Sequence, residues 1–227
     1  MTVEDLQASG TPFSLSFSGS GFLALYQVGV VQSLLELAPE LLKSACKVYG
    51  SSAGSLIAAA VVCGISLGKE ITTFFATEFL FQNGTGGDNI LSTVGRWDRR
   101  LPEDSYQVAS GRLHISLTRV VDGQNVMVSE FSSKEELIQR YVDGGFTGLQ
   151  PVSSLEEAVI TVSPFTGELD ICPRDCPAIF YCFQIFNWQI SYALFPPSTM
   201  VSPPGYQDTA LFLCRNSKYY PRTRRAA

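Results

Sequence analysis

The stretch from residue 46 to residue 63 constrains the fold more than any other part of the sequence. Residues 46–49 are typical of a short strand, residues 50–54 form a Gly-Ser-Ser-Ala-Gly turn, and residues 53–63 follow as a small-residue helix without a charged side chain. A helix that is apolar on every side is buried on every side. The chain must therefore enclose this helix, directly after a strand.

Strands and helices alternate along most of the remaining chain, which predicts an α/β sandwich around a mixed sheet. The predicted elements are a strand at 13–17, a helix over 22–37 that ends at or near Pro39, a hairpin of 113–118 and 126–131 around Asp122-Gly123, a short helix opened by the capping-box spacing of 133–136, and a strand at 159–162.

The sequence divides into three predicted parts. Residues 1–12 are a flexible lead-in, residues 13–195 are the folded domain, and residues 196–227 are an irregular tail with prolines at 196, 197, 203 and 204. From Arg215 onward the tail holds five basic residues and no acidic one, as expected for a segment that lies on anionic lipid or is simply solvated.

Charge and hydropathy exclude several classes of protein. Only 16% of the residues are charged and the net charge is −5, which argues against nucleic acid as a partner. The acidic start of the chain lacks a signal peptide's apolar core, and the longest apolar run, residues 56–65, is too short to cross a bilayer. These features predict an intracellular, soluble domain.

The six cysteines have no paired CxxC spacing, and there is one histidine. A zinc site built from Cys172, Cys176 and Cys182 has unusual spacing for structural zinc. We therefore expect reduced and mostly buried thiols, no metal site and no cofactor.

Residues 50–54 also match the G-x-S-x-G pattern of a nucleophile elbow, in which a serine occupies a strained turn between a strand and a helix. Gly50 and Gly54 would give Ser52 the clearance that such a turn needs. The helix that begins at Ala53 would direct its positive end toward a forming oxyanion. The alternative is an ordinary Gly/Ser turn. The strand–turn–helix context favours Ser52 as a catalytic nucleophile.

A second glycine-rich loop, Gly19-Ser20-Gly21, also lies between a predicted strand and a predicted helix. Its backbone N–H groups could approach an anion closely. A dinucleotide-binding loop begins in the same way, but no acidic residue follows at the distance that such a site requires. An oxyanion hole that serves Ser52 explains this loop better.

Asp143-Gly144-Gly145 is the third candidate. Asp followed by two glycines is often a plain turn. It becomes important if Ser52 needs a base, because His114 lies inside an alternating strand and is better interpreted as structural. Asp143 could then accept the serine proton directly, provided that the site is apolar enough to raise its basicity.

These three motifs, in this order, resemble the patatin-like phospholipase family. Further stretches are similar to the adiponutrin and adipose-triglyceride-lipase branch of this family, namely residues 17–21, 115–119, 122–126, 133–137 and 161–165. Residues 170–180 are most similar to one member of that branch.

The resemblance implies a three-layer α/β/α sandwich around a central, mixed and mainly parallel sheet, with 13–195 as the catalytic domain. It implies Ser52 as nucleophile, Asp143 as base, and an oxyanion hole at Gly19, Ser20 and Gly21. It further implies a neutral lipid or phospholipid substrate, a peripheral position on lipid droplets or membranes in the cytoplasm, and a protein co-activator. An aromatic cluster at 74–81 fits a lipid-facing surface or a packed core.

The chain departs from the family in one place that bears on activity. Family members carry a longer stretch between the Glu-Glu-Leu helix and the Asp-Gly-Gly motif, whereas here Gln139 is followed at once by Arg140-Tyr141. The chain before Phe195 is also shorter, and the family's long C-terminal region does not follow it. The alternative to a lipid hydrolase or transacylase is therefore a catalytically impaired patatin-like domain that binds lipid droplets or a protein partner.

Overall fold

The computed structural model describes residues 12–20, 23–65, 101–119, 121–139, 150–151, 158–165, 169–173, 180–185, 188–193 and 203–216. The strands are β1 (Phe13–Phe17), β2 (Lys47–Ser51), β3 (Leu113–Thr118), β4 (Asn125–Val128), β5 (Ala158–Val162), β6 (Phe180–Ile185) and β7 (Trp188–Ala193). The helices are α1 (Ala24–Leu37), α2 (Pro39–Ser44), α3 (Ala53–Cys63), α4 (Ser105–Ala109), α5 (Lys134–Gln139) and α6 (Pro203–Asn216).

Five strands form one mixed, mainly parallel sheet in the order β4-β3-β2-β1-β5. β1 pairs in parallel with β2 and with β5, β3 pairs in parallel with β2, and β4 closes one edge antiparallel to β3. All five residues of β1 are buried, as in a central strand that is covered on both faces. The predicted three-layer sandwich is confirmed. β6 and β7 form a separate antiparallel pair.

Two local predictions are confirmed. The β3–β4 hairpin forms around a turn in which Gly123 has a positive φ of 68°. The backbone N–H of Glu136 donates to Ser133 Oγ at 3.1 Å, which is the first half of a capping box at the start of α5. The Glu136 carboxylate accepts from the N–H of Ser132 instead of Ser133, so the box closes one residue earlier.

The charge-free helix α3 packs against β1, β2 and β3, and eight of its residues are buried, as its composition requires. α1 ends at Leu37 as predicted, but Pro39 then begins the short helix α2 at a position where proline's missing N–H costs nothing. Most of the buried apolar side chains in the described residues form one cluster. Among the described helices, none is both long and apolar enough to span a bilayer.

The prediction of irregular chain beyond Phe195 is wrong for residues 203–216, which form α6. Pro203 and Pro204 occupy the first turn of this helix, where a proline is tolerated because its backbone nitrogen has no intrahelical acceptor. α6 packs along α1, and Tyr26 Oη donates to Asp208 Oδ2 at 2.8 Å. A Cβ on Gly205 would overlap the Tyr26 carbonyl oxygen, so the two helices cross in backbone contact.

The cysteine prediction needs a correction as well. The four cysteines whose side chains the structure describes are free, but Cys46 and Cys214 are exposed, whereas Cys63 is half-buried and Cys172 is buried. Cys46 lies in the turn before β2 and Cys214 in the last turn of α6, where side chains meet solvent. The boundaries at 12 and 195 remain predictions, and the aromatic cluster at 74–81 lies outside the described residues.

Candidate active site

Ser52 occupies a strained backbone conformation at the junction of β2 and α3. Its φ of 48° and ψ of −126° make it the only non-glycine residue with a positive φ in the described part of the chain. Such a conformation costs about 1–3 kcal/mol, so the surrounding structure must impose it. The residue therefore has the local geometry that the elbow motif predicts.

Gly50 and Gly54 flank Ser52 where no side chain would fit. A Cβ on Gly50 would lie 2.5 Å from the Cα of Ser55, which shows that the strand and the first turn of α3 are in backbone contact. A Cβ on Gly54 would lie 2.5 Å from the Phe17 carbonyl oxygen and still closer to that of Ser18. Both glycines are thus required by close backbone approach.

The contact at Gly54 brings the second glycine-rich loop to the elbow. Phe17 ends β1, and Ser18 begins the loop that continues through Gly19 and Ser20. Ser18 to Ser20 are all buried, and the Ser20 carbonyl accepts the N–H of Leu23, which turns the chain into α1. Two motifs more than thirty residues apart in sequence are therefore neighbours in the fold. Gly21 lies outside the described residues.

The start of α3 is suited to bind a negative charge. The Ser52 side chain makes no capping hydrogen bond to the helix, so its hydroxyl is not committed to that role. Ser55 Oγ donates to the Ser52 carbonyl and covers that oxygen at the first turn. The unpaired N–H groups and the dipole of an 11-residue helix favour an oxyanion beside Ser52.

Two buried hydroxyls beside this region lack a hydrogen-bond partner in the described structure. Ser20 is 8% exposed and Ser51 is fully buried, and neither Oγ is paired. Buried hydroxyls are usually paired.

Asp143, Gly144 and Gly145 lie outside the described residues, as does the shortened segment before them. The assignment of Asp143 as the base remains a prediction.

His114 lies away from the elbow. It pairs with Tyr49 across β2 and β3, and the two ring centroids are 4.8 Å apart at a tilt of 49°. Tyr49 precedes Ser52 by three residues. Because β2 and β3 run parallel, His114, which pairs with Tyr49, lies about 10 Å before Ser52 along the strand direction. The ring nitrogen Nδ1 also lies 3.3 Å from the Arg112 carbonyl oxygen. The geometry agrees with a structural histidine.

No group of three or more metal-binding side chains occurs among the described residues. Cys176 of the unusual cysteine cluster lies outside that part of the chain, so the cluster itself is not described.

Sequence reasoning missed two residues that support the glycine loop. Gln27 of α1 donates through Nε2 to the Ser18 carbonyl oxygen at 2.9 Å, and Ser163 accepts a hydrogen bond from Ser18 Oγ at 3.1 Å. The available signal was a glutamine inside the apolar run 25–31. A single polar residue in such a run does not indicate its partner.

Comparison with known proteins shows which family the chain resembles. Residues 15–106 match the model of the Patatin-like phospholipase family. The chain is 41% identical to the human Omega-hydroxyceramide transacylase, with 92% of this chain and 47% of that protein covered. It is 38% identical to the human Patatin-like phospholipase domain-containing protein 2, with 90% and 49% covered. It is 37% identical to the Mus musculus 1-acylglycerol-3-phosphate O-acyltransferase Pnpla3, with 90% and 59% covered.

The chain thus spans about half the length of these relatives. The region aligned with the human transacylase is 252 residues long, which exceeds the 227 residues of this whole chain. That relative therefore carries residues without a counterpart in this chain.

Proposed function

Because the chain belongs to the patatin-like phospholipase family, in its adiponutrin-type branch, we propose that it is a lipid acyl hydrolase or acyltransferase that uses a Ser52–Asp143 dyad. The observation that carries this proposal is the strained Ser52 at the β2–α3 junction, with the glycine loop packed against its elbow. The named relatives include a transacylase and an acyltransferase, which supports acyl chemistry at this site.

In the proposed reaction, Ser52 Oγ attacks the acyl carbonyl carbon of a glycerolipid ester while Asp143 accepts the hydroxyl proton. The carbonyl oxygen becomes an oxyanion held by N–H groups of residues 19–21 and by the start of α3. The intermediate collapses, the alcohol leaves with the proton from Asp143, and an acyl-enzyme remains.

The second half of the reaction decides the product. If water attacks the acyl-enzyme, Asp143 takes its proton and passes it to Ser52 Oγ as the bond between Ser52 Oγ and the acyl carbon breaks, which releases a free fatty acid and restores the serine. If the hydroxyl of a second lipid attacks, the same steps give a new ester. A dyad without histidine suits both, because a carboxylate in an apolar site is a stronger base than one in water.

The direct test is labelling of the full chain with a fluorophosphonate, which reacts with an activated serine whatever the natural substrate. We expect labelling of Ser52, loss of labelling in Ser52→Ala, and retained labelling in Ser51→Ala, the neighbouring serine. Labelled triacylglycerol should then yield free or transferred acyl chains. Absence of Ser52 labelling in the wild-type chain would contradict the proposal.

A second candidate function is a patatin-like domain that binds lipid or a protein partner without turnover. The observation in its favour is the length of the aligned region, since the relatives carry residues that are missing here. Labelling separates the two functions, because an impaired domain leaves Ser52 unmodified.

We further propose that the chain acts in the cytoplasm, peripherally on lipid droplets or membranes and with a protein co-activator. The low charge content and the basic stretch from Arg215 onward support the contact with lipid. Flotation with phosphatidylserine-containing vesicles at low and high salt tests the lipid contact, and failure to float at low salt would contradict it.

A further inference from the structure

Gln27 is fully buried in the first turns of α1. Burial of a side-chain amide without hydrogen bonds costs about 1–3 kcal/mol, so such a residue is expected to hold a specific partner. Its Nε2 donates to the Ser18 carbonyl oxygen at 2.9 Å and lies 3.2 Å from Ser18 Oγ. Its Oε1 has no hydrogen-bond partner in the described structure. The hydrogen bonds of this amide are thus directed at Ser18.

Ser18 is held from the opposite side by the end of β5. Its N–H donates to the Val162 carbonyl at 3.1 Å, and its Oγ donates to Ser163 Oγ at 3.1 Å. These contacts hold the backbone nitrogen and the side chain of Ser18, whereas Gln27 binds the Ser18 carbonyl oxygen. The same carbonyl lies against Gly54 of the elbow. Gln27 therefore sets the direction of a carbonyl that touches the Ser52 turn.

The direction of this carbonyl determines the direction of the next N–H. In a trans peptide the C=O and the following N–H point in opposite directions within one plane, and the described chain contains no cis peptide bond. A Ser18 carbonyl turned toward Gln27 therefore turns the Gly19 N–H away from Gln27. Among the described residues, no backbone carbonyl accepts that N–H.

We propose that Gln27 is a positioning residue that orients the Gly19 N–H for the oxyanion of the acyl-transfer reaction. The inference rests on the proposed function, because it concerns the same site. Gln27 itself does not touch the substrate. It acts through the Ser18–Gly19 peptide.

The test uses the full chain and the soluble ester p-nitrophenyl butyrate. Gln27→Met keeps the length of the side chain and removes the donor. Loss of one oxyanion donor lowers kcat by about 10²–10³-fold in serine hydrolases. For misorientation of a donor we expect a fall in kcat of roughly 10–100-fold, with little change in KM.

Gln150→Met is the matched control. Gln150 Nε2 makes the same pair of contacts to Ser16, at 3.2 Å to its carbonyl oxygen and 2.8 Å to its Oγ, but within β1 instead of the loop. This variant should lose stability by a similar mechanism and keep its kcat. Both variants are assayed at a temperature where circular dichroism shows them folded.

Gln27→Glu gives a readout that a purely structural role would not produce. Its ionised carboxylate cannot donate to the Ser18 carbonyl, whereas its protonated form can. The kcat of this variant relative to wild type should therefore rise as the pH is lowered from about 8 to about 5. A kcat of Gln27→Met equal to that of Gln150→Met, or a pH-independent Gln27→Glu ratio near one, overturns the inference. A wild-type chain without Ser52-dependent turnover overturns the proposed function as well.

Discussion

Gly54 lies against the carbonyl oxygen of Ser18 so closely that a methyl group on Gly54 would overlap it. This contact joins the nucleophile elbow to the start of the glycine-rich loop. The two motifs that the sequence assigns to one reaction thus meet through backbone atoms, without intervening side chains. The geometry of either motif therefore depends on the other.

Gly54→Ala should separate the elbow from the loop. Since the new Cβ meets backbone carbonyls that cannot move aside, we expect the free energy of unfolding to fall by about 3 kcal/mol or more. We also expect fluorophosphonate labelling of Ser52 to fall at least tenfold. Urea unfolding and labelling kinetics measure the two effects.

Gly64→Ala is the control at the other end of α3. Gly64 has a φ of 68° and no neighbour within 4 Å of a built Cβ. The change should cost about 1–2 kcal/mol through backbone strain alone and leave labelling intact. Equal labelling of the two variants would contradict the role assigned to the Gly54 contact.

Cys63 should be less reactive than Cys46 and Cys214. Burial is the main cause that raises the pKa of its thiol from 9.0 to about 11; Arg112 opposes the shift and Asp104 adds to it. At pH 9 the thiolate fraction is then lower by a factor of about 50 than for an unshifted thiol. Alkylation with iodoacetamide, followed by mass spectrometry, should modify the exposed Cys46 and Cys214 well before Cys63.

The same shift predicts a loss of stability in alkali. A thiol whose pKa is raised by folding stabilises the native state fully below pH 9, and this contribution is lost as the pH rises through 11. In Cys63→Ala this part of the pH dependence should disappear. An unchanged alkaline profile would contradict the shift.

Asp122 should titrate below its ordinary range. The Arg119 guanidinium, which contacts the carboxylate at 2.9 Å through Nε, holds the pKa of Asp122 below its ordinary value, and the backbone N–H of Gln124 adds to this. Its contribution to stability is therefore present above the unfolded pKa and lost as the pH falls through the folded one. Carbon-13 NMR titration should show a midpoint below that of an unperturbed aspartate, and Arg119→Gln should move the midpoint upward.

Tyr26→Phe should weaken the docking of α6 on α1. It removes a part-buried hydrogen bond of 2.8 Å to the Asp208 carboxylate, at a cost of about 1–2 kcal/mol. Tyr206→Phe removes an exposed bond of equal length to Glu36 on the same pair of helices and should cost less than about 0.5 kcal/mol. Thermal unfolding compares them, and equal losses would argue against a special role of the Tyr26 bond.

The short-range parts of the fold follow from the sequence. The strand, turn and helix around Ser52, the Asp122-Gly123 hairpin and the Ser133 cap each depend on residues a few positions apart. The signals there are small residues, turn formers and capping side chains, whose backbone preferences act locally. The predicted bounds differ from the observed ones by only one or two residues in β2 and α1.

Tertiary structure alone decided the long-range contacts. In the sequence, Pro203 and Pro204 indicate irregular chain. In the structure they begin α6, which packs against α1. In the sequence, Gln27 is only a polar residue in an apolar run. The structure shows that its side-chain amide donates a hydrogen bond to the Ser18 carbonyl oxygen. Ser52 was recognisable from its neighbours, whereas the loop beside it depends on contacts with α1 and the end of β5. Local preferences act on adjacent residues; the pairing of distant ones is set by how the helices and strands pack together.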